Sequence, residues 1–318
     1  MKKLFILSPM KACCIAMLAL LGLTGCEKSN HHRGPLTIYQ TIANDQQLEF
    51  LTVAINKAGL KETLNGDDKT QFTVFAPTNE AFQAAGFKTV QDVANAPAAS
   101  LKSILLYHVL SGKVEAGDIP LASNTPVNTV AGTPIYVTRT NAGSVFINGV
   151  SVIQANIECT NGVIHKINRV LIPAVGNIVQ TAQGNANLSL LVAAVLRASQ
   201  GSTNVAAVLS GAGPFTVFAP TNQAFINAGF ADANAINAAD PNVLTSILTY
   251  HVIAGRIFSS DLADGIMPAT VNGETVTITL GSGPQVKGKG NTTASNIIAT
   301  DIVTTNGVVH VIDQVLLP

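Results

Sequence analysis

Tryptophan is absent from these 318 residues, tyrosine numbers four, and only 11% of the chain is charged. A flat aromatic platform for a sugar ring therefore has little material. Cysteine is scarce as well. Cys13, Cys14 and Cys26 fall in or beside the N-terminal apolar run, which leaves Cys159 alone in the body. One thiol makes no internal disulfide, so the body must hold together by burial. Its counterpart in a second copy described below is Thr304, which argues for Cys159 as a small core filler and against shared thiol chemistry. Basic excess is missing too. Residues 1–25 contain Lys2, Lys3 and Lys11 and no acid, so 18 basic and 18 acidic residues become 15 and 18, a balance near −3. That excludes a nucleic-acid partner built on phosphate neutralisation. No Gly-x-Ser-x-Gly elbow, His-Glu-x-x-His pair or phosphate-binding glycine loop is present.

What is present is apolar and repeated. Apolar residues make up 47% of the chain, enough for packed cores, and the length suits about two domains. The phrase Phe72-Thr-Val-Phe-Ala-Pro-Thr-Asn-Glu-Ala-Phe82 returns as Phe215-Thr-Val-Phe-Ala-Pro-Thr-Asn-Gln-Ala-Phe225. From Phe72 to Phe87, thirteen of sixteen residues recur at an offset of 143. Alternation through Phe72, Val74 and Ala76 predicts a buried strand. Pro77 stops its ladder, and Thr78 or Asn79 caps a helix, as do Thr221 or Asn222 in the second copy.

A second phrase, Ser103-Ile-Leu-Leu-Tyr-His-Val109, recurs as Ser246-Ile-Leu-Thr-Tyr-His-Val252. It places His108 and His251 on an apolar helical stripe beside Tyr107 and Tyr250. A helix before the first phrase carries Leu48, Leu51, Ile55 and Ala58 on one face; its twin carries Leu188, Leu191, Val195 and Ala198. The third phrase runs from Thr160 to Pro173 and again from Thr305 to Pro318, with nine of fourteen positions shared at an offset of 145. Asn161-Gly162 and Asn306-Gly307 predict two-residue hairpin turns with positive φ, and strand parity turns His165 and His310 toward the core. Between the second and third phrases, Val-, Thr- and Asn-rich segments predict short strands, and Gly281–Gly290 predicts an exposed loop.

Two histidines per copy raise the idea of a metal or acid–base pair. A catalytic zinc needs three protein ligands, and no acid or cysteine stands at matched positions to complete the set. Asp301 faces Asn156 in the other copy, and Asp313 faces Asn168. The reading is therefore no cofactor and no metal, with the histidines buried, neutral and hydrogen-bonded.

Together the three phrases resemble the tandem fasciclin domain of secreted and surface-anchored proteins. The resemblance implies an α+β fold. It comprises two β-wedge or sandwich domains of about seven strands, each with helices packed on one side, at residues 36–173 and 177–318. It also implies adhesion or matrix binding without catalysis, with an extracellular matrix or cell-surface protein or polysaccharide as partner. Thr78, Asn79, Tyr107, His108, Asn161, Gly162 and His165, with Thr221, Asn222, Tyr250, His251, Asn306, Gly307 and His310, are its repeated motif residues, read as structural. In animal relatives the Tyr-His region and an Asp-Ile pair are implicated in receptor contact. Here Asp301-Ile302 is matched by Asn156-Ile157, and the receptor role is not carried over.

Residues 1–25 read as a secretion leader: a Lys2-Lys3 start, an apolar run over Ala12–Leu23, and Lys11 and Pro9 breaking any longer span. Leu23-Thr-Gly-Cys26 resembles the bacterial lipobox, which implies lipidation of Cys26, a 26–35 tether, and display at the cell envelope, on the outer membrane or cell surface. The alternative function is a glycan- or small-ligand-binding envelope lipoprotein serving nutrient uptake. Adhesive contacts are expected where the copies differ, at Val114–Val130, Ile257–Val271 and Gly281–Gly290.

Overall fold

The structure, a computed structural model, describes residues 35–67 and 69–318. The expected leader, Cys26 and the tether up to residue 34 lie outside the described residues. Local chemistry sets where the helices begin. Thr37 accepts a hydrogen bond from the Gln40 N–H while the Gln40 side chain accepts from the Thr37 N–H, a reciprocal cap that opens α1 (Ile38–Ala43). Next come α2 (Glu49–Lys57), the single turn α3 (Lys61–Leu64), and β1 (Phe72–Pro77), which Thr78 turns directly into α4 (Asn79–Ala84). Helices α5 (Val90–Asn95) and α6 (Ala98–Tyr107) complete the helical layer. Six strands then follow: β2 (Val109–Ser111), β3 (Thr125–Asn128), β4 (Pro134–Arg139), β5 (Val145–Ile147), β6 (Val150–Cys159) and β7 (Gly162–Ile167).

The second domain repeats this order. Its elements are α7 (Ile178–Gln183), α8 (Ser189–Ala198), α9 (Val205–Ser210), β8 (Phe215–Pro220), α10 (Asn222–Asn227), α11 (Ala233–Ala238) and α12 (Pro241–Tyr250). They continue with β9 (Val252–Ala254), β10 (Thr277–Thr279), β11 (Gln285–Lys287), β12 (Ser295–Thr304) and β13 (Gly307–Ile312).

In each domain the first long strand pairs in parallel with the last. The sheet orders are β2-β1-β7-β6-β5-β4-β3 and β10-β11-β12-β13-β8-β9. Phe75 lies opposite His165, and Phe218 opposite His310. Register shifts at Val152–Ile157 in β6 and Ile297–Ile302 in β12 bend each long strand, because an extra residue on one side of a ladder kinks it. The bend folds the sheet into a wedge. Outside it, Val74, Ala76 and Ile164 pack against α2 and α6 with Leu51, Ile55 and Leu105; inside it, Phe75 and Ile167 meet Ile135, Val137 and Ile147. The second domain splits its core the same way, and all four apolar clusters are built from residues 38–316.

Three expectations change. The hairpin pairs Cys159 with Gly162, so the turn is Thr160-Asn161 and Gly162 already belongs to β7; Thr304 likewise pairs with Gly307. Neither turn residue has positive φ, because the Asn161 side chain is held inside the domain, as described below. Gly281–Gly290 is not a loop throughout. It contains β11, whose Val286 is fully buried between β10 and β12; one apolar residue among four glycines gave the pattern no alternation to show. Finally, the second sheet has six strands rather than seven. Residues 265–268 still bond to β10, with Gly265 N–H donating to Ile278 O at 2.9 Å and Val276 N–H to Pro268 O at 3.2 Å. Pro268 has no N–H to extend that ladder.

Candidate functional site: the repeated framework and the domain junction

Each repeated polar residue closes a gap in the backbone. Thr78 caps α4 through Ala81 N–H at 3.3 Å, and Thr221 caps α10 through Ala224 N–H at 3.1 Å. Asn79 serves a different helix: its Oδ1 accepts from Phe50 N–H at 3.1 Å and its Nδ2 donates to Gln46 O at 2.8 Å. Helix α2 starts at Leu48 without a side-chain cap of its own, so Asn79 satisfies one of its free donors from across the core. Asn222 does the same for Leu190 N–H and Ala186 O, both at 2.9 Å. Asn161 accepts from Ile38 N–H at 2.8 Å and donates to Leu64 O at 3.0 Å; Asn306 accepts from Ile178 N–H and donates to Leu209 O. Gly162 follows at φ +146°, where a Cβ would run into the Phe72 backbone, and a Cβ at Gly307 would meet the Phe215 carbonyl.

The histidines take opposite tautomers. His108 Nδ1 donates to Ile104 O at 2.8 Å, while its Nε2 accepts from Leu171 N–H at 2.9 Å. His251 repeats this with Ile247 O and Leu316 N–H, each at 2.8 Å. A nitrogen facing an N–H must be unprotonated. Burial agrees, pushing both imidazoles down to about 4. In His165 the roles reverse: Nδ1 accepts from Asn156 N–H at 3.2 Å and Nε2 donates to Val114 O at 2.9 Å. His310 does so with Asp301 N–H and Ile257 O, and burial lowers the pKa of both rings. No nitrogen of these four rings is left for a metal, and among the described residues no cluster of three His, Cys, Asp or Glu could hold one. Tyr107 donates to Pro134 O at 3.1 Å and accepts from Asn148 Nδ2 at 3.0 Å; Tyr250 donates to Thr275 O at 2.7 Å and accepts from Lys289 N–H. Cys159 is buried, its thiol 3.3 Å from the Thr41 hydroxyl.

The unrepeated residues gather between the domains. Asp301 and Asn156 occupy the same bulge, both at positive φ (+63° and +58°), and each accepts from the backbone of the segment after the second phrase. Asn156 takes Ala116 N–H at 2.9 Å, and Asp301 takes Ser259 N–H at 2.7 Å. Only Asp301 then meets the other domain. Its carboxylate, 1% exposed, also accepts from Ser259 Oγ and from Arg169 Nη1 at 3.2 Å. Arg169 further donates to Thr300 Oγ1 at 3.1 Å and Thr300 O at 3.3 Å. Beside it the Arg256 guanidinium lies 3.9 Å from the centre of the Tyr136 ring, and Phe258 packs on the same ring at 6.1 Å. Asn124 Nδ2 donates to Arg256 O and Asp261 Oδ2, both at 2.9 Å. The segment expected to offer free contacts, Ile257–Val271, is thus engaged at its start by the first domain.

Next to the ion pair is a cleft of about 320 Å³, lined by Arg169, Leu171, Val175, Thr181, Asp301 and Val303 among others. The buried Thr181 hydroxyl has no hydrogen-bond partner. Asn124, Phe258 and Ser259 fall within the segments Val114–Val130 and Ile257–Val271 where contacts were expected, whereas Tyr136, Arg169 and Arg256 lie outside every expected site. The usable signal was disagreement within an otherwise repeated phrase, Arg169 against Gln314 and Asn156 against Asp301.

The fasciclin domain family model matches residues 46–173 and 187–318. The chain belongs to the fasciclin-domain family. Both matched stretches omit the first helix of their domain, although Ile38, Ile42 and Ile178 are buried in the two helix-side cores. Among relatives, transforming growth factor-beta-induced protein ig-h3 of Sus scrofa is 27% identical over 247 residues, covering 78% of this chain and 35% of its own. The present chain thus spans about a third of that fasciclin protein. A Synechocystis protein, Protein sll1483, is 41% identical over 144 residues, covering 44% of this chain and 73% of its own. A solved FAS1 domain pair from the insect cell adhesion molecule fasciclin I aligns with a TM-score of 0.41 at 21% identity, over 85% of this chain and 96% of that one.

Proposed function

We propose that this chain is a non-catalytic adhesion or matrix-binding protein, lipid-anchored through Cys26 and displayed on a bacterial cell envelope. One observation carries the reading: all four histidines and both buried tyrosines of the repeated motif have their polar atoms engaged internally. None remains to transfer a proton or attack a substrate, and a pair of scaffolds presenting their surfaces is what is left. Family membership supports the same role. Among the described residues no helix is long and apolar enough to cross a membrane, so attachment in this proposal rests on the lipid. Two or more acyl chains at ~0.8 kcal/mol per buried CH₂ make a stable anchor.

The test is a screen of residues 36–318 against arrays of matrix proteins and glycans, paired with adhesion by cells with and without the protein. Binding to an array member together with lost adhesion in the deletion strain supports the reading; unchanged adhesion overturns it. A second reading, a glycan- or small-ligand-binding lipoprotein of nutrient uptake, is favoured by the junction cleft with its unpartnered Thr181 hydroxyl. Saturable binding of a small solute, lost on Thr181→Val, would select it.

A further inference from the structure

The junction joins two different faces. The second domain contributes a leading face made of Arg256, Phe258, Ser259, Asp261 and Asp301. The first contributes a receiving face made of Asn124, Tyr136, Gly149 and Arg169. Such a contact is heterologous, and heterologous contacts leave one unused face at each end. Because the domains repeat one fold, the leading face of the first domain and the receiving face of the second are both present and free in residues 35–318.

The free leading face keeps its shape. Ala116 N–H is held by Asn156 as Ser259 N–H is held by Asp301, and Val114 O takes His165 as Ile257 O takes His310. Its chemistry has changed. Lys113, Glu115 and Asp118 stand where Arg256, Phe258 and Asp261 stand. Lys113 is paired with Glu115 at 2.9 Å and with Glu158 at 2.6 Å. Arg139 adds a second cation, donating to Gly117 O and Ile119 O at 2.9 Å each, so three carboxylates against two cations give this face a balance of −1.

The free receiving face has changed in the opposite sense. Thr277 and Lys287 take the places of Tyr136 and Asn148 in the strand register. They line an open cleft of about 740 Å³ together with Met267, Glu274 and Lys289. Lys289 is 74% exposed, and two ammoniums against one carboxylate leave +1. The ion pair that closes the internal junction has become neutral at both ends, with Asn156 in place of Asp301 and Gln314 in place of Arg169, so neither free face displays an unmatched half of it.

We infer that the acidic leading face of the first domain binds the basic receiving face of the second domain in another copy of this chain, head to tail. The contact reuses the internal junction's geometry with its charges redistributed. It is weak and sensitive to salt, because every pair in it is exposed to solvent. It is also open-ended, so copies add in a row. Such a contact can form whether or not the protein is adhesive.

Sedimentation of residues 36–318 over a wide concentration range tests it, since these residues contain every apolar cluster of the described residues. The expected result at low salt is a mass that rises continuously with concentration and falls several-fold in association constant between ~50 and ~500 mM salt. Lys287→Glu with Lys289→Glu, and separately Glu115→Lys with Glu158→Lys, each sediment as single copies with unchanged melting. Mixed in equal amounts, the two variants associate, because each now matches only the other. A wild-type body that stays single at its highest soluble concentration overturns the inference. So does association that neither charge reversal alters, or a mixture that behaves as its parts.

Discussion

Arg169, from the loop that ends the first domain, holds the carboxylate of Asp301 in the second at 3.2 Å; the acid is 1% exposed and the guanidinium 45%. The pair explains why one copy carries Asp301 and the other Asn156. The position needs an acceptor for a backbone N–H in both domains, and only the second also receives a cation. Arg169→Ala leaves that buried charge with Ser259 alone. It should cost about 1–3 kcal/mol in thermal or urea unfolding, the low end reflecting the exposed arginine. The double variant Arg169→Gln with Asp301→Asn copies the amides of the free faces and should recover most of the loss. Equal destabilisation by the single and double variants would show that the pair does not couple.

His108 and His251 give the protein an acid limit. Each titrates near 6.5 when unfolded and at about 4 when folded, so between those values the unfolded chain binds more protons. The contribution of these two histidines is full above about pH 6.5, is lost as pH falls toward 4, and changes no further below. The difference amounts to about 3 kcal/mol per histidine. Urea midpoints of the wild type and of His108→Gln at pH 7 and pH 4 should show a smaller acid loss in the variant.

His165→Ala and His310→Ala each strand a backbone donor and a carbonyl inside the wedge, at about 1–3 kcal/mol. Binding of any partner should survive under conditions where the variants remain folded. Tight stoichiometric metal in the wild type, lost in these variants, would overturn the structural reading.

Gly162→Ala places a methyl group against the Phe72 backbone at a φ of +146°. We expect a loss of about 3–5 kcal/mol, comparable with the severest single substitutions. Gly281→Ala is the control, since its added Cβ meets nothing within 4 Å, and it should melt within a degree or two of wild type.

Produced separately, residues 36–173 and 177–318 should each unfold cooperatively. The second should be the weaker and less soluble, because Phe258, fully buried in the intact chain, loses its packing on Tyr136. An isolated second domain as stable as the first would show that the junction contributes little.

Much of this fold was legible because it is written twice. The Phe72 and Phe215 phrases fix a strand, a stop and a cap within eleven residues, and the apolar stripe from Leu48 to Ala58 is strict enough to place the helix face. Legibility failed where meaning is not local. Asn161-Gly162 has the composition of a tight turn, yet the asparagine is bonded 123 residues away to Ile38 and the glycine is required by Phe72. Val286 is a strand residue only because β10 and β12 flank it. Arg169, Tyr136 and Arg256 lie far apart in the chain and become a site only once two domains meet.

The parallel pairing of β1 with β7, and of β8 with β13, has a consequence for how the protein is made. In each domain the segment synthesised last is inserted beside the segment that opens the sheet, not added at its rim. A nascent first domain therefore cannot close until residue 167 has left the ribosome. A message cut short before Gly307 would yield a second domain with the inner edges of β8 and β12 both unpaired. Loss of the chain from Gly307 onward is then an injury to the middle of the sheet, and such a product should be cleared by proteolysis while the first domain survives.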